Sequence, residues 1–333
     1  MTQAKQAEQT PKPAYHAGFA AIIGRPNAGK STLLNRLVGQ KVAIVASKPQ
    51  TTRNRIQGIV STARGQVVLI DTPGLHDAES ALGRQMMKEV AAALEGIDLL
   101  LLIVDASSPH GHQDEMLLEK AKRFGGKAIL AVNKVDAVLK PKLLPMMDDF
   151  QKAFDFAAIV PISALKGTGC DALLDEILQR LPEHEAYFPE DQVTDQPERF
   201  LAAEIVREKA IALTYHEVPH ALAVLVDKFE EKARLVRIEA TLNVERESQK
   251  KILIGHKGAM LKKIGTQARK ELESLLGTRV FLGLFVKVAP GWRESPQRVR
   301  ELDWHFQLEG LGKSSEEEQL AVETEDGEES ETN

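Results

Sequence analysis

The chain has 333 residues, 43% of them hydrophobic and 27% charged, with a formal net charge of −5. That length allows two domains, each with an ample core. The single cysteine, Cys170, excludes an intrachain disulfide and suits a reducing cytoplasm, and no apolar run approaches the roughly eighteen residues of a membrane-spanning helix.

Residues 1–16 have no apolar h-region and read as a flexible leader rather than a signal peptide. The apolar run 19–23 predicts a short buried strand, and 31–38 the first turns of a helix. Between them, Gly24-Arg25-Pro26-Asn27-Ala28-Gly29-Lys30-Ser31 fits the pattern G-x-x-x-x-G-K-[ST] in the strand–loop–helix setting that a phosphate-binding loop needs. Backbone N–H groups at the helix start face the phosphates, where orphan donors and the positive dipole end favour anions. Lys30 would reach the β- and γ-phosphates and the Ser31 hydroxyl would ligate Mg2+.

Gln50-Thr51-Thr52-Arg53 lies in a polar stretch without strand alternation. One of its threonines, Thr51 or Thr52, is expected to complete the Mg2+ shell and sense the γ-phosphate. Residues 66–70 form an apolar strand ending in Asp71-Thr72-Pro73-Gly74. Asp71 would hold Mg2+ through water, and Gly74 lets its N–H approach the γ-phosphate closely because no side chain intervenes. The next residue is Leu75, where Ras-type enzymes carry a water-positioning glutamine. Leucine cannot orient water, so that role falls elsewhere or to a partner, and intrinsic hydrolysis should be slow. His76 reads as an exposed loop histidine rather than a general base. Asn27 offers a ligand for a monovalent cation, K+, that would supply the missing positive charge.

The strand at 128–132 leads into Asn133-Lys134-Val135-Asp136. Guanine presents donors at N1 and N2 that the Asp136 carboxylate can accept together, whereas adenine offers a lone pair and no amine there. Asn133 would tie this loop to the phosphate loop, and the Lys134 stem would lie against the base. After residues 159–162, the N–H groups of Ser163 and Ala164 are expected to meet guanine O6. One tetrapeptide is weak evidence; four elements in this order, each at a strand end, identify a guanine-nucleotide site.

Helices are expected at 81–94, 113–124 and 172–181, which with the strands predict a mostly parallel sheet with helices on both faces over residues 17–181. Cys170 reads as a small packed hydrophobe. Residues 182–198 read as a linker, since 182–197 hold three prolines and five acidic residues without sustained periodicity. A second, α+β domain over 199–310 is expected to carry a helix at 199–213, strands at 221–229 and 235–244, helices at 248–254 and 259–276, and a strand at 280–288. The turn Gly255-His256-Lys257-Gly258 between two helices matches the GXXG loop of KH RNA-binding domains. Its glycines allow close approach to a sugar-phosphate chain, while Lys257, Lys262 and Lys263 add charge. Residues 245–310 hold thirteen Lys/Arg against eight Asp/Glu. Ile254, Gly255, His256, Lys257, Gly258, Lys262 and Lys263 are the expected RNA contacts. Trp292 and Trp304 read as core anchors. Residues 311–333 carry nine acidic residues and one lysine, a net of −8 that leaves +3 for the rest, and read as a disordered tail.

Across residues 17–310 the sequence resembles the Era family of bacterial GTPases. The resemblance rests on GRPNAGKST at 24–32, QTTR at 50–53, DTPG at 71–74 and NKVD at 133–136. It rests further on FPED at 188–191, EIVREK at 204–209, ILIGHKG at 252–258 and VKVAPGW at 286–292. Ala28 stands where valine is expected, and the acidic tail is extra. The resemblance implies GTP or GDP contacts from Gly24, Asn27, Ala28, Gly29, Lys30, Ser31, Thr32, Asp71, Thr72, Pro73, Gly74, Asn133, Lys134, Asp136, Ser163 and Ala164. Lys30, Thr51, Thr52 and Gly74 would serve hydrolysis, and Ser31, Thr51, Thr52 and Asp71 the metal. It further implies a GTPase acting in assembly of the small (30S) ribosomal subunit, with the KH domain holding 16S rRNA. The implied protein is monomeric and cytoplasmic, with some peripheral membrane association for which no motif in the chain argues independently. Two alternatives stay open: a tRNA-modification or transport-linked GTPase whose second domain binds protein, and a nucleotide-regulated binding module without turnover.

Overall fold

The computed structural model describes residues 14–46, 48, 51–74, 79–108, 111–122, 124 and 127–302. Leu75, His76, Gln50, Trp304, residues 1–13 of the leader and the whole acidic tail lie outside them. The chain divides into two compact units, the second of which takes in the described residues of 44–51 and 76–88 as well as the chain from Gln196.

The first unit is built on a six-stranded sheet in the order β2-β3-β1-β4-β5-β6. Its strands are β1 (His16–Gly24), β2 (Ile56–Thr62), β3 (Gly65–Asp71), β4 (Leu99–Asp105), β5 (Ala128–Asn133) and β6 (Ala158–Pro161). Only the β2–β3 pairing is antiparallel. Continuous apolar runs in β3 and β5 match complete burial of both strands, as a parallel sheet covered on its faces requires. The helices are α1 (Lys30–Val38), α3 (His112–Lys122), α4 (Leu143–Ala153) and α5 (Cys170–Leu178), together with the last turn of α2 (Ala81–Ala93), whose residues up to Lys88 belong to the second unit. Cys170 is buried. Helix α4 escapes sequence reading for a physical reason: Pro145 stands in its first turn and Leu144 faces solvent, which blurs its apolar stripe.

The segment read as a linker is held by individual bonds rather than by a ladder. The Ile59 N–H donates to Val193 O at 2.9 Å and the Thr194 hydroxyl to Gln57 O at 2.7 Å. The buried Gln66 side chain accepts from the N–H groups of Tyr187 and Phe188 and donates to Phe188 O. Such bonds need no periodicity, which is why the sequence shows none.

In the second unit, α6 (Glu198–Leu213) and the short α7 (Val218–Ala221) precede β7 (Ala223–Lys232) and β8 (Leu235–Val244); α8 (Glu247–Ile254), α9 (Ala259–Leu276), β9 (Arg279–Val288) and α10 (Pro296–Glu301) follow. Strand β8 pairs antiparallel with β7 and parallel with β9. The strand expected at 221 begins two residues later, because Pro219 sits in the first turn of α7, which ends at Ala221, whose carbonyl accepts from the Trp292 indole at 2.8 Å. Trp292 is 1% exposed. Alternate residues of β8, Val236, Ile238, Ala240 and Leu242, are buried against Leu253 of α8 and Ile264, Ala268 and Leu272 of α9.

Candidate functional site

All the nucleotide-site motifs but the threonine loop leave the carboxyl ends of parallel strands, so β1, β3, β5 and β6 deliver their loops to one edge of the sheet. The loop from Gly24 to Gly29 turns through Asn27 and Gly29, with φ of 62° and 102°. The second angle favours glycine, and a side chain there would also run into the Asn133 amide. The Gly74 backbone lies so near Pro26 that a Cβ would sit 2.8 Å from the proline nitrogen, which brings the loop after β3 against the loop after β1.

Lys30 opens α1 almost fully buried, its Nζ donating to Arg25 O at 2.9 Å and Gly24 O at 3.2 Å. Burial pushes its ammonium down to about 8, against the opposing charge of Asp71. Asp71 has no solvent exposure, and burial raises its carboxyl although Lys30, the Ser31 and Thr52 hydroxyls and the Thr72 N–H pull the other way. Ser31 Oγ donates to Asp71 Oδ2 at 2.6 Å and lies 2.8 Å from Thr52 Oγ1, which is 3.3 Å from the same carboxylate oxygen. The other oxygen, Asp71 Oδ1, is buried without a hydrogen-bond partner. Two hydroxyls and one carboxylate with an uncommitted oxygen suit a hard divalent cation that takes its remaining ligands from phosphate and water. These are the residues that could hold Mg2+. Thr51 is turned away, its hydroxyl donating to Lys48 O at 2.6 Å. Thr72 Oγ1 donates to Ile22 O at 2.8 Å, fixing the strand end. Thr32 lies in the first turn of α1.

Asn133 bridges two loops: its Nδ2 donates to Ala28 O at 2.8 Å and its Oδ1 accepts from Ala164 N at 2.9 Å. Lys134, with φ 64°, pairs with Asp105 Oδ2 at 2.6 Å. Burial opposes charge on Asp105, yet bonds from Lys134 and Ser107 hold its carboxyl below the usual range. Asp136 is exposed beside this loop. The Ser163 N–H donates to Thr168 O and the Ala164 N–H to Asn133 Oδ1, each at 2.9 Å. The loop's geometry is also set by Arg36 of α1, whose guanidinium donates to Ala164 O and Leu165 O. Arg36, Asp105 and Asn35, which clamps Val42, Ala43 and α1 together, stand outside every motif. Only the placement of Asp105 at a strand's carboxyl end could have signalled one of them.

In the second unit, Gly255 has φ 71° and ψ 179°, a conformation open essentially to glycine, and a Cβ there would lie 2.7 Å from Met260 Cβ. Lys257 also has positive φ, and Gly258, at φ 80°, faces open space. His256, Lys257, Lys262 and Lys263 are exposed, while Ile254 is partly buried at the end of α8. Beside them runs a groove of about 330 Å3 lined by Leu261, Lys262, Gly265, Leu282 and Leu284.

Residues 19–134 match the family model of 50S ribosome-binding GTPases, and residues 217–293 that of KH domains. GTPase Era of Syntrophus aciditrophicus is 49% identical over 293 residues, 87% of this chain and 96% of that protein. GTPase Era of Geotalea daltonii is 47% identical over 87% of this chain and 98% of its own length. A crystal structure of an Aquifex aeolicus Era variant bound to GDP·AlF4− shares 42% identity, with a TM-score of 0.83 over 86% of this chain and 98% of that one. An Era complex with MgGDPNP and nucleotides 1506–1542 of 16S ribosomal RNA matches with the same identity, score and coverage. With this extent of identity and the same succession of a nucleotide-binding unit and a KH domain, the chain belongs to the Era family of GTPases.

Proposed function

We propose that this chain is a GTP-hydrolysing switch that binds 16S rRNA through its KH domain and acts in assembly of the small (30S) ribosomal subunit in the cytoplasm. The observation that carries the reading is the convergence of Ser31, Thr52 and the unpartnered Asp71 oxygen beside the buried Lys30. A solved Era structure holding MgGDPNP and nucleotides 1506–1542 of 16S rRNA supports the partner. No helix among the described residues is long and apolar enough to cross a membrane.

Lys30 lies where it can exchange its bonds to Gly24 O and Arg25 O for phosphate oxygens. Thr52, rather than Thr51, is the proposed threonine of the metal shell. A Mg2+ ion held there would neutralise charge on the β- and γ-phosphates. Asp136 would accept from guanine N1 and N2 while Asn133 keeps the base and phosphate loops in register. Within the second unit, the Thr51 carbonyl accepts from the buried Arg207 guanidinium of α6.

K+ at Asn27 and a monomeric state complete the proposal. The test is phosphate release with and without 30S subunits, in K+ and in Na+, alongside binding of a single-stranded RNA with the 3′-terminal 16S sequence. Salt-sensitive RNA binding and subunit-stimulated turnover are expected. Failure to bind that RNA overturns the ribosomal reading, and equal rates in the two salts dispose of K+.

A further inference from the structure

Strand β9 has two faces of different character. Leu282 and Leu284 turn towards the helices and line the groove beside the GXXG turn, while Phe281 and Phe285, 50% and 58% exposed, turn the opposite way, onto a face that is open along β9 but covered at its Ala223 end, where Ala223 packs with Trp292, Val299 and Ala81, Leu82 and Met86 of α2. On that open face β9 presents Arg279, Phe281, Gly283, Phe285 and Lys287 in strict alternation. Large apolar rings left half in water need an explanation, and their surroundings supply one. Neither Arg279 nor Lys287 makes an ion pair among the described residues. Arg237, opposite Phe281 on β8, lies over its ring at 5.4 Å and is bound by Glu239 through Nε at 2.8 Å. The acidic side chains of the face are engaged on the β7–β8 side, Glu239 by Arg237, Glu230 by Lys228 and Asp227 by the Thr241 hydroxyl. Along β9 itself no acidic residue occurs.

We propose that the open face of β9 is a second track for single-stranded RNA, distinct from the GXXG groove, in which two bases stack on Phe281 and Phe285 while Arg279 and Lys287 meet the flanking phosphates. The rings are four residues apart, about 13 Å along an extended strand, with Gly283 between them, where the side chain of Glu239, itself held by Arg237, lies alongside. Aromatic platforms with cations at their ends serve RNA because every base has a π-face and phosphates accompany it. A protein partner would ask for a continuous apolar patch, and here glycine and cations interrupt it. The track extends the proposed RNA-binding reading: a strand leaving the groove passes over the edge strand onto this face.

The experiment uses the full chain with two RNAs of the same mixed composition, one of about five nucleotides and one of about fifteen, together with light scattering. Phe281→Ala/Phe285→Ala is expected to leave affinity for the short RNA unchanged and to weaken the long one at least about tenfold; Phe281→Tyr/Phe285→Tyr should keep it. Lys257→Gln/Lys262→Gln/Lys263→Gln should weaken both RNAs. Unchanged affinity of the alanine variant for the long RNA overturns the track while leaving the groove intact. Equal losses for both RNAs overturn it as well, since the rings would then serve the fold. A dimer in the wild type that the alanine variant lacks assigns the face to a second copy of the chain and likewise overturns it. If the lysine variant binds both RNAs as the wild type does, the groove reading itself fails.

Discussion

The phosphate loop and the GXXG turn both place glycines at the start of a helix, yet they are built in opposite ways. The first is held from all sides by buried polar groups: Asn133 bonds Ala28, and Lys30 bonds the loop's own carbonyls beside Asp71. The second is held almost only by its backbone, with positive φ at Gly255, Lys257 and Gly258 and its charged side chains in water. A small ligand of fixed shape rewards preorganisation, because the donors are aimed before it arrives. A flexible polyanion rewards accessible charge, because its affinity comes largely from counterion release.

The largest effect that would break this comparison belongs to Asp136. Asp136→Asn is expected to lower discrimination between GTP and ATP by at least about 10^3-fold, measured by calorimetric competition. A pocket that still rejected ATP would mean that shape, not the carboxylate, chooses the purine. Next comes the brace of the phosphate loop. Asn133→Ala leaves Ala28 O and Ala164 N unpaired in a buried place and should cost about 2–4 kcal/mol of unfolding free energy. An exposed hydrogen bond would cost far less, so a denaturant titration decides.

Within the GXXG turn the two glycines should part company. Gly255→Ala meets both a forbidden conformation and Met260, for about 2–4 kcal/mol, whereas Gly258→Ala meets open space and only the left-handed penalty of about 1 kcal/mol. Equal losses in thermal unfolding would show that the turn is not as rigid at Gly255 as its packing requires. Smaller again is the electrostatic contribution. Each of Lys257, Lys262 and Lys263 changed to Gln should reduce the slope of log affinity for single-stranded RNA against log salt by about 0.7, with nucleotide affinity unmoved. Smallest is Cys170. Burial raises its thiol, with Arg36 opposing, so iodoacetamide at pH 8 should label it more slowly in the native chain than in urea. Equal rates would mean an open α5.

Much of the fold could be read from residues alone. Helix α9 at 259–276 and β8 at 235–244 stand where periodicity put them, since each buries one stripe or one face against a single core. Helix α4 was hidden by an outward leucine and an early proline, and the path of residues 182–195 by bonds that follow no period.

The residues that can touch phosphate, guanine and RNA are legible in sequence because their chemistry demands particular types at particular spacings: a glycine for a positive φ, a carboxylate for two donors, a lysine for a phosphate. Sequence could not choose between Thr51 and Thr52, foresee that the N–H groups of Ser163 and Ala164 are already bonded, or find Arg36, Asn35 and Asp105. Those facts depend on which groups meet in space, at sequence separations from 7 residues for Asn35 and Val42 to 129 for Arg36 and Leu165, and distance in space is not encoded in local pattern. Only the folded chain could point Thr52 at Asp71 and Thr51 at Lys48, because neighbours along an extended backbone project to opposite sides and the surrounding contacts decide which side faces the metal.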